Sequence, residues 1–226
     1  MSDELRGLDR DGALTEAMAA SAPTTRRAVL KTLAAAGLVG SAAVMASGGT
    51  AEAEGEPQGD VAILNYALTL EYLQAAFYTE VQRINAVTGQ AARLARIVGM
   101  HERAHVRALH TILGRRAVPE PRFDFRGATE SQAAFVRTAV AFEDLGVAAY
   151  KGQAPRIKSV AYLNAALAIH AVEARHAAWI RRIAGVLPAG SAFDEPATAA
   201  HVLSVVNSTH FILGRTQANG MPGFTG

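Results

Sequence analysis

Apolar residues recur at helical spacing along most of the chain from Asp60 onward. Between Asp60 and about Asn85 they fall at Ile63, Leu64, Ala67, Leu68, Tyr72, Ala75, Ala76 and Val81, the three-to-four-residue period of an amphipathic helix. Asp60 reads as its N-cap and the Thr88–Gly89 pair as its break. Gln90 to Leu113 continues the pattern and stops at Gly114, and a loop with Pro119, Pro121 and Gly127 follows. Thr129-Glu130-Ser131-Gln132 opens a third helix, in the Thr129…Gln132 capping-box register or a neighbouring one. It runs to Lys151, before Gly152 and Pro155. Arg156 to Val186 makes a fourth, closed by Pro188 and Gly190, and Pro196 fits the first turn of a short fifth ending near Val206. The last twenty residues, with Gly214, Gly220, Pro222 and Gly223, read as an extended tail. No strand-like alternation occurs, so the pattern predicts an all-α fold.

The stretch before Asp60 is patterned differently. Residues 1–25 are polar, and Thr32 to Ala46 form an uncharged run rich in Ala, Gly and Val. That run is short of the roughly 20 residues a membrane-spanning helix needs. It is preceded by Thr25-Arg26-Arg27-Ala28-Val29-Leu30-Lys31 and followed by Ala51-Glu52-Ala53, a small-residue cleavage pattern. A basic segment, a modest apolar stretch and a small-residue site make a secretory signal. The Arg26–Arg27 pair resembles the twin-arginine export signal, with Val29 where Phe is commoner. This implies passage through the twin-arginine (Tat) translocase and a periplasmic or extracellular location, or membrane anchoring if the signal is not removed. An amphipathic or anchoring N-terminal helix is the alternative. The expected organisation is a signal over 1–53, a linker over 54–59, a four-helix bundle over 60–187, and a C-terminal helix and tail over 188–226.

Composition narrows the chemistry. Half of the 226 residues are hydrophobic, 19% are charged and 6% are aromatic, which suits one packed core and excludes wholesale disorder. A net charge of +2 gives no basis for nucleic-acid binding. The chain contains no cysteine, which excludes disulfides, thiolate metal sites, iron–sulfur clusters and thiol catalysis.

The two halves of the helical region repeat each other. Leu70-Glu71-Tyr72-Leu73-Gln74-Ala75-Ala76-Phe77-Tyr78 aligns with Phe142-Glu143-Asp144-Leu145-Gly146-Val147-Ala148-Ala149-Tyr150, matching Glu, Leu, Ala and Tyr. His101-Glu102-Arg103-Ala104-His105 aligns with Val172-Glu173-Ala174-Arg175-His176, matching Glu and His. The first and third helices thus carry a Glu followed seven residues later by a Tyr, and the second and fourth carry Glu-x-x-His. Such a repeat predicts two helix hairpins folded face to face.

Glu and His three residues apart lie about 60° apart around a helix, so both reach one ion. Glu71, Glu102, Glu143, Glu173, His105 and His176 are all flanked by apolar residues. An unpaired buried charge costs several kcal/mol, and four would unfold a domain stable by about 5–15 kcal/mol. Arg103 and Arg175 lie one and two residues from a Glu and mostly point elsewhere on their helices. Two divalent ions balance the four carboxylates. Hard carboxylates with two imidazoles suit iron or manganese, whereas tetrahedral zinc would leave ligands unused.

The constellation resembles the ferritin-like di-iron carboxylate superfamily, over about Asp60 to Val186 with all six ligand positions filled. With its export signal the chain resembles the secreted bacterial ferritin-like domain proteins, some called desiccation-related. The resemblance implies a four-helix bundle of two hairpins joined by a long crossover. It implies two Fe or Mn ions per chain, bridged by Glu102 and Glu173, with Glu71 and Glu143 terminal and His105 and His176 capping one ion each. The substrate would be a small-molecule oxidant. Two Fe(II) going to Fe(III) deliver the two electrons that reduce peroxide to water, whereas dioxygen needs four. A dimanganese catalase-like cycle needs no external donor, and ferroxidase chemistry is less favoured for an exported chain. A non-enzymatic envelope bundle with structural metals is the main alternative, and a homo-oligomer is compatible with either.

His101-Glu102-Arg103-Ala104-His105 also matches the zinc-metallopeptidase motif, a reading that leaves Glu173, His176 and the repeat unexplained. His101 is then a surface or supporting residue, its repeat partner being Val172. The Tyr78 and Tyr150 hydroxyls can hydrogen-bond carboxylates across the site, or the rings can serve the core alone. Trp179 reads as core, Arg93, Arg96 and Arg107 as a solvated face, and His110, His170, His201 and His210 as structural.

Overall fold

The computed structural model describes residues 56–213. Arg26, Arg27, the apolar run after them and the cleavage pattern at Ala53 lie outside the described residues, as do positions 214–226 of the expected tail. No helix among the described residues is long and apolar enough to cross a membrane.

Five α-helices form: α1 Asp60–Ile84, α2 Gly89–Leu113, α3 Gln132–Gln153, α4 Val160–Ile183 and α5 Ala199–Thr209. α1 packs along α2 and α3 along α4, α1 meets α3 and α2 meets α4 across the bundle, and α5 leans on α3. The predicted all-α, two-hairpin bundle with a short C-terminal helix is the observed architecture.

Local differences from the predicted elements have identifiable causes. Asp60 does not cap its own helix, where Gly59 is the N-cap. Its carboxylate instead accepts from the backbone N–H groups of Lys158 and Ser159, both at 2.8 Å, and ties the start of α1 to the start of α4. α1 ends where expected, at Ile84, with Asn85 as its C-cap in the left-handed conformation at φ 57°. α3 uses the neighbouring capping register: Ser131 is the N-cap and accepts from Ala134 N at 3.2 Å. α4 is shorter than Arg156–Val186. Pro155 sits in a 3₁₀ turn, Ala154–Arg156, and Ser159 caps the helix that starts at Val160. At the other end Gly185 turns left-handed at φ 77°, as a helix terminus favours. α5 starts at Ala199, where Thr198 accepts from His201 N at 3.2 Å, rather than at Pro196.

The crossover adds one short feature that the pattern does not announce. Arg122–Phe123 (β1) and Ile212–Leu213 (β2) pair as two antiparallel strands. With two residues each, they are too short to show alternation. They pin the crossover between the hairpins beside the end of α5, helped by Asp124 N donating to Phe211 O at 2.8 Å and by Phe125 packing edge-on to Phe211.

The core splits into two apolar clusters. One contains Leu70, Phe77, Val81, Leu94, Phe135, Phe142 and Ile180 with the buried face of α5, and Trp179 packs against it. The other contains Ile63, Leu64, Leu68, Leu109, Leu113, Ala166 and Ile169. Glu71 lies along α1 between Leu68 and Phe77, so the repeated polar residues occupy a layer in mid-bundle.

Candidate metal centre

All six repeated ligand candidates converge. Glu71, Glu102, Glu143 and Glu173 have no solvent exposure, and His105 and His176 are buried. Their ligand atoms form two overlapping groups, Glu71–Glu102–His105–Glu173 and Glu102–Glu143–Glu173–His176, with every atom of a group within 4.8 Å of the others. Glu102 and Glu173 belong to both.

Each imidazole turns Nδ1 toward three carboxylates. His105 Nδ1 lies 3.2 Å from Glu71 Oε2, 3.3 Å from Glu102 Oε2 and 3.1 Å from Glu173 Oε1. His176 Nδ1 lies 3.0 Å from Glu102 Oε1, 3.4 Å from Glu143 Oε2 and 3.8 Å from Glu173 Oε1. Glu102 therefore offers one oxygen to each histidine, and Glu173 Oε1 reaches both.

The tyrosines bind across the bundle. Tyr78 of α1 donates to Glu143 Oε1 of α3, and Tyr150 of α3 donates to Glu71 Oε1 of α1, both at 2.5 Å. Burial first, then the adjacent Glu143 and Glu71 charges, raise these phenols well above their usual range, so both keep their protons and act as donors.

The electrostatics are those of excess negative charge out of reach of water. Burial pushes the Glu71 carboxyl well above the usual range and Glu143 up to about 7, with the Glu173 charge adding to both. Burial also works against the Glu173 carboxylate, but His105 and His176 outweigh it and draw the group down to about 2. Burial disfavours both imidazolium ions, yet the surrounding carboxylates push His105 and His176 up to about 12. With protons as the counter-charge, the layer can be neutralised only by holding them on groups that lose them in water.

A cation fits this donor set better. Glu102 Oε1, Glu143 Oε2, Glu173 Oε1 and His176 Nδ1 are buried without a hydrogen-bond partner. Buried polar atoms are nearly always satisfied, and here the four orphans point at one another. Lone pairs converging on a shared point are what a metal ion requires. Arg103 and Arg175 do not supply the missing charge: one donates to Thr79 Oγ1 and the other to Ala171 O.

Three further residues stand around the site: Gln74 and Gly146, which the sequence did not single out, and His101, which it offered as a surface or supporting residue. Gln74 Nε2 donates to Glu173 Oε2 at 3.4 Å. Gly146, its repeat counterpart, leaves the space: a Cβ there would stand 3.3 Å from Glu173 Oε2 and 3.5 Å from Gln74 Oε1. His101 meets His176 edge to edge, with Nδ1 2.9 Å from His176 Nε2 and the ring planes 15° apart. It belongs to neither ligand group among the described residues, so the peptidase motif is not assembled in the way a zinc site needs. Only the Glu71–Gln74 and His101–His105 spacings along one helix face hinted at these roles. His110, read as structural, bonds the Tyr72 hydroxyl, outside the carboxylate layer.

Mid-helix carboxylates and imidazoles shared between two helix hairpins define a ferritin-like bundle. The sequence profile described as ferritin-like domain matches residues 59–186, and the chain belongs to that family. A solved structure, that of a conserved hypothetical protein, rv2844, from Mycobacterium tuberculosis, is similar at 22% identity with a TM-score of 0.49. The match covers 59% of this chain and 96% of that one. No curated protein matches the chain.

Proposed function

We propose that this chain is an exported ferritin-like protein whose core holds two iron or manganese ions and reacts with a small oxidant, hydrogen peroxide before dioxygen. The observation that carries the reading is the pair of ligand groups sharing Glu102 and Glu173, with orphaned oxygens and a bare His176 Nδ1 between them. Glu102 and Glu173 span the two positions; Glu71 with His105 and Glu143 with His176 complete one each. Bound there, two ions each changing by one electron supply the pair that reduces peroxide to water, H2O2 + 2H+ + 2e− giving 2H2O.

The protein's own groups do the rest. Tyr78 and Tyr150 fix the orientation of Glu143 and Glu71 by donating to one oxygen, leaving the other free to ligate. The two apolar clusters shut water out from both ends of the bundle. The His105 side chain, 11% exposed, is the member of the layer most open to the surface.

The Arg26–Arg27 pair fits the same reading, since the twin-arginine route it resembles carries folded proteins and would suit a bundle loaded with metal before it leaves the cytoplasm. The test is elemental analysis of protein purified from its native exported pool, followed by peroxide and dioxygen consumption. Two iron or manganese ions per chain with peroxide loss are expected. Metal without turnover would favour a structural bundle, and one zinc ion indifferent to Glu173 and His176 would favour the peptidase. Replacing Arg26 and Arg27 by Lys should leave the precursor in the cell.

A further inference from the structure

The halves of the site differ behind their histidines. His176 Nδ1 faces Glu102, Glu143 and Glu173, and Nε2 meets His101 Nδ1 at 2.9 Å, with the ring planes within 15° of each other and the centroids 5.1 Å apart, edge to edge. If Nδ1 gives its lone pair to a cation, the ring proton must sit on Nε2, and His101 Nδ1 is the acceptor waiting for it. His105 likewise turns Nδ1 to its carboxylates. The residue equivalent to His101 in the other hairpin is Val172, which offers His105 no acceptor.

Building on the two-ion reading, we propose that His101 is a positioning residue for the ion position of Glu102, Glu143, Glu173 and His176. By accepting the Nε2 proton it holds His176 in the tautomer and ring orientation that ligate, which makes this position the tighter of the two. Outer hydrogen bonds of this kind to a ligating histidine are worth about 10–100-fold in metal affinity. The same sequence feature that mimics a peptidase motif then has a different use: His101 and His105 sit one turn apart on α2 but serve different ions.

The experiment is a titration of the mature chain with Mn(II) alone, followed by calorimetry, for wild type, His101→Val and His101→Asn. His101→Val copies the other hairpin. His101→Asn places an amide oxygen near where Nδ1 stood and keeps the acceptor. Wild type should bind in two unequal steps. His101→Val should weaken the tighter step about 10–100-fold and leave the other nearly unchanged, and His101→Asn should restore most of the loss. Imidazole nitrogen spectra should show the His176 Nε2 proton hydrogen-bonded in wild type and His101→Asn but not in His101→Val. His101 is only partly buried, so the metal-free variants should melt close to wild type, which separates a positioning effect from misfolding. Two bound ions with an unchanged tighter step in His101→Val, or His101→Asn as weak as His101→Val, overturn the role of His101 alone. A wild type that takes up no pair of Mn(II) ions overturns the two-ion reading, and this inference falls with it.

Discussion

Glu71, Tyr78, Glu102 and His105 in the α1–α2 hairpin face Glu143, Tyr150, Glu173 and His176 in the α3–α4 hairpin, and each hairpin reaches into the other through its tyrosine. Around that shared set the hairpins diverge. Where α1 has Gln74, α3 has Gly146, and the amide of one fills the space left by the other to reach Glu173. Where α2 has His101 against the site, α4 has Val172. On the proposed two-ion reading, the ligand candidates match because two positive ions would have to be met by equal charge. Their supports need not match, because one amide in the middle of the layer serves a carboxylate that belongs to both positions, and a second would not fit. A duplicated site can therefore keep its chemistry symmetric while its two positions become unequal.

The largest effects should come from the residues common to both positions. Glu102→Ala or Glu173→Ala removes a ligand from both ions and leaves excess positive charge, so metal content should fall from about two ions per chain to less than one. Full occupancy in either variant would mean that the ligands lie elsewhere. Glu71→Gln and Glu143→Gln break the symmetry instead: each should retain about one ion, lost from opposite positions, which elemental analysis and the spectrum of the remaining ion can distinguish.

Acidity sharpens the comparison further. In the metal-free chain Glu143 keeps its proton up to about 7, against 4.5 for an exposed glutamate. A carboxyl raised on folding adds stability that is complete below about 4.5 and is lost as pH climbs through 7. Glu71, also raised, acts in the same sense. Denaturant midpoints of the metal-free protein should thus fall between about pH 5 and pH 8, less steeply in Glu143→Gln, which needs no proton. Metal-loaded protein should not show this fall, because binding displaces the proton.

The smallest effects should be those of Tyr78→Phe and Tyr150→Phe. Each removes one hydrogen bond to a carboxylate, on the order of 1 kcal/mol, too little to expel an ion held by carboxylates and imidazole. Both variants should keep two ions and change only the rate of the peroxide-dependent absorbance change. Empty sites in either would make the hydroxyls structural necessities.

The convergence of the six candidate residues was legible because they stand at fixed helical spacings, repeated twice. Glu-x-x-His places both groups on one face, and four buried carboxylates demand a counter-charge whatever the loops do. The same logic offered the crossed tyrosines as one of two readings, since a residue seven places on returns to nearly the same face, and the structure selects it over core packing alone. What the sequence hid depends on tertiary approach. The Gln74–Gly146 exchange is visible only once α1 and α3 lie side by side, and the choice between a surface and a supporting role for His101 is made only when α4 brings His176 against it. The crossover strands escaped because two-residue ladders carry no periodicity. The ends of α4 shifted because Ser159 and Gly185, rather than the prolines nearby, supply the terminal hydrogen bonds and backbone conformation.

The central claim is that Glu102 and Glu173 tie two ions into one centre. Electron paramagnetic resonance of the mature chain loaded with Mn(II), with the metal-to-protein ratio measured on the same sample, tests it directly. Two ions per chain with the signal of an exchange-coupled pair, collapsing to isolated ions or none in Glu102→Ala, is the expected result. One isolated Mn(II) per chain in the wild type, unchanged by Glu102→Ala, would contradict it.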